Sequence, residues 1–356
     1  MNSEQKNIGS IYCNSKAWGA FNEKLASINL SKVFVIIDEN TKQFCLPILR
    51  SKISQDFTLE ILEIEAGEIY KNIDTCVLLW NQLSEKGADR NSIILNLGGG
   101  VITDLGGFVA STFKRGIKFI NIPTTLLAMV DASVGGKNGV DLGVLKNQVG
   151  VINNPEMVLV DTVFLKTLLK EQITSGYAEM LKHGLIHSSS YWNEIKLFDV
   201  NNIKSTEDLV WDSIKIKNEI VLKDPFEKSI RKTLNFGHTL GHAIESYCLD
   251  NKDKKDLLHG EAVAIGMILA TYISFKLVSL SEKELSDISE TLTRFYTKVD
   301  FSSEEISSII ELLKYDKKNS NGKVLFVLLS SIGNCEINQE VPNDLIFEAF
   351  EFYKKI

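Results

Sequence analysis

Residues 92–113 read SIILNLGGGVITDLGGFVASTF, and this segment determines the class of fold. A short apolar run at 92–97 predicts a buried strand, three glycines follow at 98–100, and the pattern from 101 to 113 is helical. At a strand–turn–helix junction, backbone N–H groups and the helix dipole can receive a phosphate. The segment is not the common GxGxxG fingerprint, because position 103 is threonine. A phosphate site and a plain tight turn both fit these residues.

Further strands and helices are predicted on either side of this junction. Apolar runs at 32–37, 58–64, 117–122 and 157–160 predict strands, and residues 72–86 have the spacing of an amphipathic helix. Strands that alternate with helices indicate a mostly parallel, Rossmann-like sheet. Beyond residue 160 helical patterns dominate, at 171–187, 207–222, 231–248, 259–279, 283–297 and 303–314. We therefore predict an α/β domain over residues 1–170 and an all-α domain over residues 171–356.

Composition excludes several classes of protein. The chain is 44% hydrophobic and 24% charged, with a net charge of −7, so a general nucleic-acid binder, which should be basic, is not expected. The N-terminus lacks the order of a signal peptide, and the uncharged stretch at 262–275 is too short to span a bilayer. Five scattered cysteines without a CxxC fit reduced thiols. We expect a cytoplasmic protein without a membrane or nucleic-acid partner.

Residues 98–150 are unusually rich in glycine and hold 11 of the chain's 23 glycines. Such density is typical of backbone that turns tightly or approaches a ligand closely. Gly136-Lys137-Asn138 is not a P-loop, because Asp131 stands where its first glycine belongs and Asn138 where serine or threonine belongs.

Residues 234–267 carry three of the five histidines, His238, His242 and His259. His238 and His242 are four apart in a helical pattern, so both rings should lie on one face. Imidazole is a common metal ligand, and a carboxylate such as Glu179 is a natural third ligand for a catalytic zinc. Histidines packed in the core and a glutamate on the surface would produce the same sequence, so a metal site and a purely structural role both stay open.

Several cations lie inside these distinctive segments of an acidic protein. Converging arginine and lysine side chains imply an anionic ligand, with phosphate or carboxylate as its charge. Taken singly, each would be read as a surface residue. The set comprises Arg115, Lys137, Lys146, Lys182, Lys217, Arg231, Lys317 and Lys318.

Together these segments resemble the 3-dehydroquinate synthase family, in order and approximate spacing from about residue 33 to residue 318. Two departures, Leu168-Leu169-Lys170-Glu171 after FLKT and a charged loop at 251–256, touch no proposed ligand. The matching blocks are GGGVITDLGGFVAS (98–111), RGIKFINIPTTLLAMVDASVGGKNGV (115–140), GYAEMLKHGL (176–185), RKTLNFGHTLGHAIE (231–245) and LHGEAVAIGM (258–267).

The resemblance implies an NAD-binding first domain, a metal-binding helical second domain and a homodimer. Glu179, His238 and His259 would hold zinc, or cobalt as an alternative, while His242 would face the substrate. Arg115 would reach the phosphate site of a neighbouring subunit. Other substrate positions would be Asp131, Lys137, Lys146, Asn147, Lys182, Lys217, Arg231, Asn235 and Lys317, with Lys318 as an alternative to Lys317. The NAD positions would be Asp38, Glu68, Lys71, Gly99, Gly100, Asp104, Thr124, Thr125, Asp131, Lys137, Lys146, Phe164 and Thr167.

The family reaction is the second step of the shikimate pathway, on the route to chorismate and the aromatic amino acids. It converts 3-deoxy-D-arabino-heptulosonate 7-phosphate to 3-dehydroquinate and phosphate, with NAD regenerated in each turnover. One alternative is another sugar-phosphate cyclase, of the 2-deoxy-scyllo-inosose or epi-valiolone type, whose substrate lacks a carboxylate. Lys137, Arg231 and Asn235 favour the dehydroquinate reaction. Further alternatives are a metal-dependent polyol dehydrogenase, which would accumulate NADH, and a non-catalytic relative.

Overall fold

The computed structural model describes residues 6–8, 10–14, 17–143, 145–199, 201–313 and 324–356. The chain divides into two compact units. The first consists of Met1–Leu169 with Val200–Asn218, and the second of Lys170–Asp199 with Glu219–Ile356. A simple division at residue 170 therefore leaves out one feature, because residues 200–218 cluster with the first unit.

The first unit is built on a seven-stranded sheet with strand order β1-β2-β9-β6-β5-β3-β4. Neighbouring strands are parallel except for the β1–β2 pair. All six residues of β5 are buried, as expected for a strand covered on both faces. The sheet strands are β1 (Lys6–Ile8), β2 (Ile11–Cys13), β3 (Val33–Asp38), β4 (Leu59–Ile64), β5 (Ile93–Gly98), β6 (Lys118–Pro123) and β9 (Met157–Val160). The predicted strands and the Rossmann-like class are thereby confirmed.

The helices of the first unit cover this sheet. Helix α5 follows β5 directly and lies close to it, because Gly106 has no side chain: a Cβ there would lie 2.0 Å from Asn96 Oδ1. Gly107 permits an equally close approach to Asn138. The helices are α1 (Ala17–Ser27), α2 (Glu39–Phe44), α3 (Leu46–Lys52), α4 (Ile73–Glu85) and α5 (Gly100–Thr112).

The glycine-rich segment forms a hairpin that the sequence pattern did not predict. Strands β7 (Lys137–Leu142) and β8 (Leu145–Ile152) pair antiparallel, and Gly139 lies opposite Gly150. A Cβ at Gly139 would lie 2.6 Å from Val149 O, so the strands approach more closely than side chains would allow. The strands contain glycine and lysine where apolar alternation would have indicated β-structure. The hairpin carries the candidate site residues 137, 146 and 147.

The second unit is mainly helical but is not all-α, so that prediction was wrong in one part. Strands β10 (Leu325–Ser331) and β11 (Asn334–Glu340) form a hairpin. The predicted helix over residues 231–248 is also interrupted: a 3-10 turn covers Ile230–Asn235, and a new helix begins after Gly237, whose φ is 77°. The helices are α6 (Lys170–His187), α7 (Ser189–Ile195), α8 (Ile203–Lys223), α9 (His238–Asp250), α10 (His259–Leu277), α11 (Glu282–Phe295), α12 (Ser303–Leu312) and α13 (Asn343–Lys355); residues 203–218 of α8 belong to the first unit.

Helix α10 is the central element of the second unit. Two glycines let it approach its neighbours: a Cβ at Gly260 would lie 2.0 Å from Ser175 O of α6, and one at Gly266 would lie 2.0 Å from Gly237 O. In the described chain α10 alone is long and apolar enough to cross a membrane, but 72% of its most apolar window is buried within the protein. That burial is typical of a core helix. The close packing brings the first turns of α9 and α10 beside α6.

Candidate active site

The first candidate region lies where β5 and β6 end side by side. Thr124 N donates to Gly98 O at 3.0 Å, and α5 begins at Gly100 with Gly99 as its N-cap. A Cβ at Gly99 would lie 2.9 Å from Thr125 Cγ2, so any larger residue would force the Thr125 side chain to move. The exposed N–H groups of a helix start beside the carboxyl ends of parallel strands form a typical nucleotide-phosphate site.

Beside this helix start, six polar side chains form one network, which we call the lysine cluster: Glu68, Lys71, Asp104, Asp141, Lys146 and Asn147. Lys71 Nζ donates to Asp104 Oδ2 at 2.7 Å and to Asn147 Oδ1 at 2.6 Å. Lys146 Nζ lies 2.9 Å from Glu68 Oε1, which is 3.8 Å from Lys71 Nζ. Asp141 Oδ1 accepts from Asn147 N at 2.6 Å and holds that residue at a φ of 52°. The cluster joins α5 to the β7–β8 hairpin and to the turn before α4.

Burial shapes the protonation of the lysine cluster. Burial alone would lower the pKa of Lys71. The carboxylates of Asp104, Glu68 and Asp141 outweigh burial, so the net pKa is raised and the lysine stays charged. Burial raises the pKa of Asp104, opposed by Lys71. The pKa of Asp141 is raised to about 6, chiefly by burial, while Lys71 and the Asn147 amide oppose the shift.

Other predicted NAD positions have visible structural roles. Asp38 Oδ1 accepts from Thr41 N at 2.7 Å and caps α2. Phe164 is buried with its ring centroid 6.4 Å from that of Trp18, and Thr167 Oγ1 donates to Phe164 O at 3.5 Å. These contacts explain the residues without a ligand, so their part in NAD binding stays a prediction.

Four further predicted substrate residues lie in the first unit: Arg115, Asp131, Lys137 and Lys217. Asp131 sits in a π-helical turn, Ala128–Ala132, and accepts from Lys217 Nζ at Oδ1, 2.6 Å away. π-Turns recur at functional sites. Lys137 is exposed at the start of β7. Arg115 is exposed with a φ of 69°, directly after Lys114 at 48°. Two successive non-glycine residues in the left-handed region are strained, by roughly 1–2 kcal/mol each.

The second candidate region is the histidine cluster, which we define as Glu179, His238, His242 and His259. Glu179 is fully buried on α6, and its Oε1 lies 3.4 Å from His238 Nε2 and 3.6 Å from His259 Nε2. The three imidazole centroids are 5.1, 5.5 and 5.6 Å apart. Each histidine can present a nitrogen within 4.8 Å of the others. The donor atoms thus converge on one small volume.

This donor set fits a divalent metal ion. Zinc holds nitrogen and oxygen ligands about 2.1 Å away, so two ligands at a tetrahedral angle lie about 3.4 Å apart. The separations of 3.4 and 3.6 Å between Glu179 Oε1 and the two Nε2 atoms match that spacing. If Glu179, His238 and His259 alone were ligands, a fourth coordination position would stay open, as catalytic sites require.

The outer nitrogens of two histidines have different partners. His238 Nδ1 lies 3.2 Å from Phe236 O, and His259 Nδ1 lies 3.2 Å from Glu245 Oε2. Burial alone would lower the pKa of His259. The carboxylates of Glu245 and Glu179 outweigh burial, and the net pKa is raised to about 10. The pocket therefore favours positive charge at this position. Sequence reasoning missed Glu245, although it ends the block containing His238 and His242.

The remaining candidates in the second unit are neighbours of this cluster in sequence or in space. Lys182 is buried and donates to Glu179 Oε2, on the carboxylate oxygen that does not face the histidines. Asn235 Nδ2 donates to Glu227 Oε1 at 2.6 Å, and Glu227 itself has a φ of 57°. This strained glutamate was not among the predicted site residues, and no local pattern distinguishes it from a surface residue.

Arg231 is held by the turn that follows α8. Its Nη1 donates to Pro225 O at 2.6 Å, while Asp224 accepts from the backbone N–H groups of Lys228, Ser229 and Arg231 at 2.9, 2.6 and 3.1 Å. These backbone bonds lower the pKa of Asp224 to about 2 although burial opposes them. The predicted substrate residue Lys317, and its alternative Lys318, lie outside the described residues.

Comparison with known proteins defines first the fold. The structure is similar to 2-epi-5-epi-valiolone synthase from Streptomyces hygroscopicus subsp. jinggangensis 5008, solved with NAD⁺ and Zn²⁺ bound, with a TM-score of 0.86 and 23% identity over 100% of this chain and 99% of that one. It also resembles 2-deoxy-scyllo-inosose synthase complexed with carbaglucose-6-phosphate, NAD⁺ and Co²⁺, with a TM-score of 0.83 and 24% identity over 98% and 99% of the chains. The chain therefore shares the fold of these two synthases.

Sequence comparison then gives the family. Residues 61–175 match the model of the 3-dehydroquinate synthase N-terminal region, and residues 176–319 match that of its C-terminal region. The chain is 44% identical to the 3-dehydroquinate synthase of Parabacteroides distasonis, over 93% of this chain and 94% of that protein. The chain belongs to the 3-dehydroquinate synthase family and is an enzyme of that family.

Proposed function

We propose that the enzyme converts 3-deoxy-D-arabino-heptulosonate 7-phosphate to 3-dehydroquinate and phosphate, using NAD and a divalent metal ion. The observation that carries the chemistry is the approach of Glu179 Oε1 to the Nε2 atoms of His238 and His259, at 3.4 and 3.6 Å. The name of the Parabacteroides relative supports this choice over a cyclase whose sugar-phosphate substrate lacks a carboxylate.

The proposed division of labour follows the two halves of the chain, with residues 1–170 binding NAD and residues 171–356 carrying the metal. When bound, NAD supplies a hydride acceptor and donor at C5, and zinc or cobalt supplies a Lewis acid for the C5 oxygen. Glu179, His238 and His259 would hold the metal. The start of α5 at Gly99 and Gly100 would receive the pyrophosphate, as helix N-termini do.

The charged side chains would bind the anionic substrate. Phosphate and carboxylate need cations that stay charged, and fixed cations also stabilise the charge that develops as phosphate leaves. Lys182 and Lys217 are buried beside Glu179 and Asp131, which holds their ammonium groups in place. Arg231 is fixed by Pro225 O. Lys137, Lys146, Asn147 and Asn235 would complete the set.

Proton transfer is assigned to His242. Its ring is half-buried, 5.1 Å from His238 and 5.6 Å from His259 between centroids. A histidine at the margin of a metal site can take a proton from one substrate atom and return it to another. The elimination removes a proton from C6 and releases phosphate. The hydride that leaves C5 returns there, so the reaction is redox-neutral.

We also propose that the enzyme is a cytoplasmic homodimer in which Arg115 serves the neighbouring subunit. The exposed, strained turn at Lys114 and Arg115 supports a functional role for that arginine, because such strain persists chiefly at functional sites. Exposed apolar side chains on and beside α4, at Ile69, Ile73 and Val77, offer a surface for the second copy.

A phosphate-release assay tests the activity. Purified enzyme with zinc or cobalt, catalytic NAD⁺ and the heptulosonate phosphate should release one phosphate per substrate without accumulating NADH. Glucose 6-phosphate, which lacks the carboxylate, should release none. Phosphate release from glucose 6-phosphate alone would favour a cyclase of the other type, and steady NADH accumulation would favour a dehydrogenase.

A further inference from the structure

The inference concerns Glu245, a buried carboxylate on α9 that faces the outer nitrogen of His259. Its Oε2 lies 3.2 Å from His259 Nδ1, while the Nε2 of the same ring lies 3.6 Å from Glu179 Oε1. The two ring nitrogens point in divergent directions. Glu245 therefore stands behind His259, on the side away from the other donors of the histidine cluster.

We propose that Glu245 is a positioning residue that holds a proton on His259 Nδ1 and thereby presents a lone pair at Nε2 to the metal. A carboxylate paired with the outer nitrogen of a ligand histidine fixes its tautomer and orientation and makes it a stronger donor. This inference rests on the proposed metal-dependent function. His238 differs, because its Nδ1 faces the neutral carbonyl of Phe236 and not a carboxylate.

The placement of Glu245 is difficult to explain by packing. Its side chain is 9% exposed, and burying a carboxylate is costly unless a charged or hydrogen-bonding partner compensates. Glu261 lies closer to His259 in sequence, yet its Oε2 accepts from Leu258 N at 2.8 Å and caps α10. Glu261 thus caps the helix, whereas Glu245 contacts the outer nitrogen of the His259 ring.

Metal affinity provides the first test, measured by titrating Zn²⁺ into metal-free enzyme against a chelator of known affinity. Glu245→Leu should raise the metal Kd by about 10–100-fold, the usual effect of losing such a partner. Glu245→Gln keeps an acceptor oxygen and should restore part of the loss. Glu261→Gln removes the same charge beside His259 and should leave the Kd within about fivefold of wild type, since it breaks no contact to the ring.

A second measurement does not depend on how the variants fold. In zinc-loaded wild-type enzyme with ¹⁵N-labelled histidine, the Nδ1–H of His259 should give a slowly exchanging, hydrogen-bonded proton resonance. A His259 ring without that proton, or a Glu245→Leu Kd no higher than that of Glu261→Gln, would overturn the inference. Failure of wild-type enzyme to bind Zn²⁺ would instead refute the proposed function itself.

Discussion

The lysine cluster and the histidine cluster handle charge in opposite ways. In the first, Lys71 lies between Asp104, Asn147 and Glu68, so each charge has an opposite partner within the protein. In the second, His238 and His259 turn their Nε2 atoms toward the same oxygen of Glu179, at 3.4 and 3.6 Å. Those separations exceed the usual hydrogen-bond range of about 2.7–3.2 Å for nitrogen donors.

The difference shows what each region is prepared to bind. A network whose members satisfy one another is stable without a ligand, and it holds the β7–β8 hairpin against the start of α5. A set of donors that converge at ligand-to-ligand spacing is completed by a cation. Loss of the buried Lys71 from the first region should therefore act mainly on stability, whereas loss of a donor from the second should act mainly on metal content and rate.

The largest effect is expected for His259→Ala. If His259 holds the metal as proposed, the variant should lose the ion, and the loss of Lewis-acid assistance, worth several kcal/mol, should lower kcat/KM by about a thousandfold or more. The fold should persist, as judged by circular dichroism, and bound metal can be measured by mass spectrometry. Full metal content with an unchanged rate would remove His259 from the ligand set.

Lys71→Met should act on stability, with a somewhat smaller effect. Removing one member of a buried charge network leaves its partners uncompensated, so the free energy of unfolding should fall by about 3 kcal/mol in urea titrations. Lys42, which pairs with Glu63 at 2.6 Å on the surface, is the matched control. Lys42→Met should cost less than about 1 kcal/mol. Equal losses in the two variants would contradict the contrast between the clusters.

The variant His242→Ala distinguishes a proton-transfer role from a metal-ligand role within the histidine cluster. If His242 transfers protons and does not hold the metal, the variant should keep its metal while kcat falls about a hundredfold, a typical contribution of a general acid–base. Metal content and steady-state rates check both parts. Loss of metal from this variant would instead show that both histidines of α9 are ligands, the simpler interpretation of their four-residue spacing.

The smallest expected effect is the pH-dependent contribution of Asp141 to the free energy of unfolding. Its pKa rises from 3.8 to about 6 in the folded protein, so the native state binds this proton more tightly than the unfolded chain. The stabilisation is present below about pH 4 and lost as pH rises through 6. After allowance for solvent screening, its size should be on the order of 1 kcal/mol.

The variant Asp141→Asn lacks the titrating carboxyl group, so its stability can be compared with that of the wild type at each pH. The difference in free energy of unfolding between wild type and variant should change across pH 4.5, 6 and 7.5, with wild type losing stability relative to the variant. A pH-independent difference would show that Asp141 titrates normally, and the lysine cluster would then be less dehydrated than its burial implies.

Much of the fold could be predicted because its strands and helices carry strong local patterns. The run VFVIID forms β3, and the glycines at 98–100 form the junction between β5 and α5. The two hairpins were not predicted, and three of their four strands lack a strong local pattern. Gly139 and Gly150 face each other with no side chains to alternate, and β11 alternates half-buried and exposed residues. Strand β10, in contrast, contains the apolar and mostly buried run LFVLL, a pattern that does indicate a strand and that the sequence analysis missed.

The histidines were predictable as a group, but the carboxylates that contact the site residues were less so. The sequence places His238 and His242 one turn apart, whereas only packing shows that His259 turns its inner nitrogen toward Glu179. Glu245 and Glu227 lie in plain helical and loop contexts. Their contacts to His259 and Asn235 arise from tertiary structure, which leaves no local signature.

The assignment of residues 200–218 to the first unit has a consequence for synthesis. The first unit lacks its final segment when Leu169 leaves the ribosome, and 49 further residues separate Leu169 from Asn218. At about 5–20 residues per second, that interval lasts roughly 2–10 s. During it, α6 and α7 of the second unit emerge before the first unit has all of its chain. The nascent enzyme cannot complete one unit and then begin the other, so its translation order and its folding order must interleave.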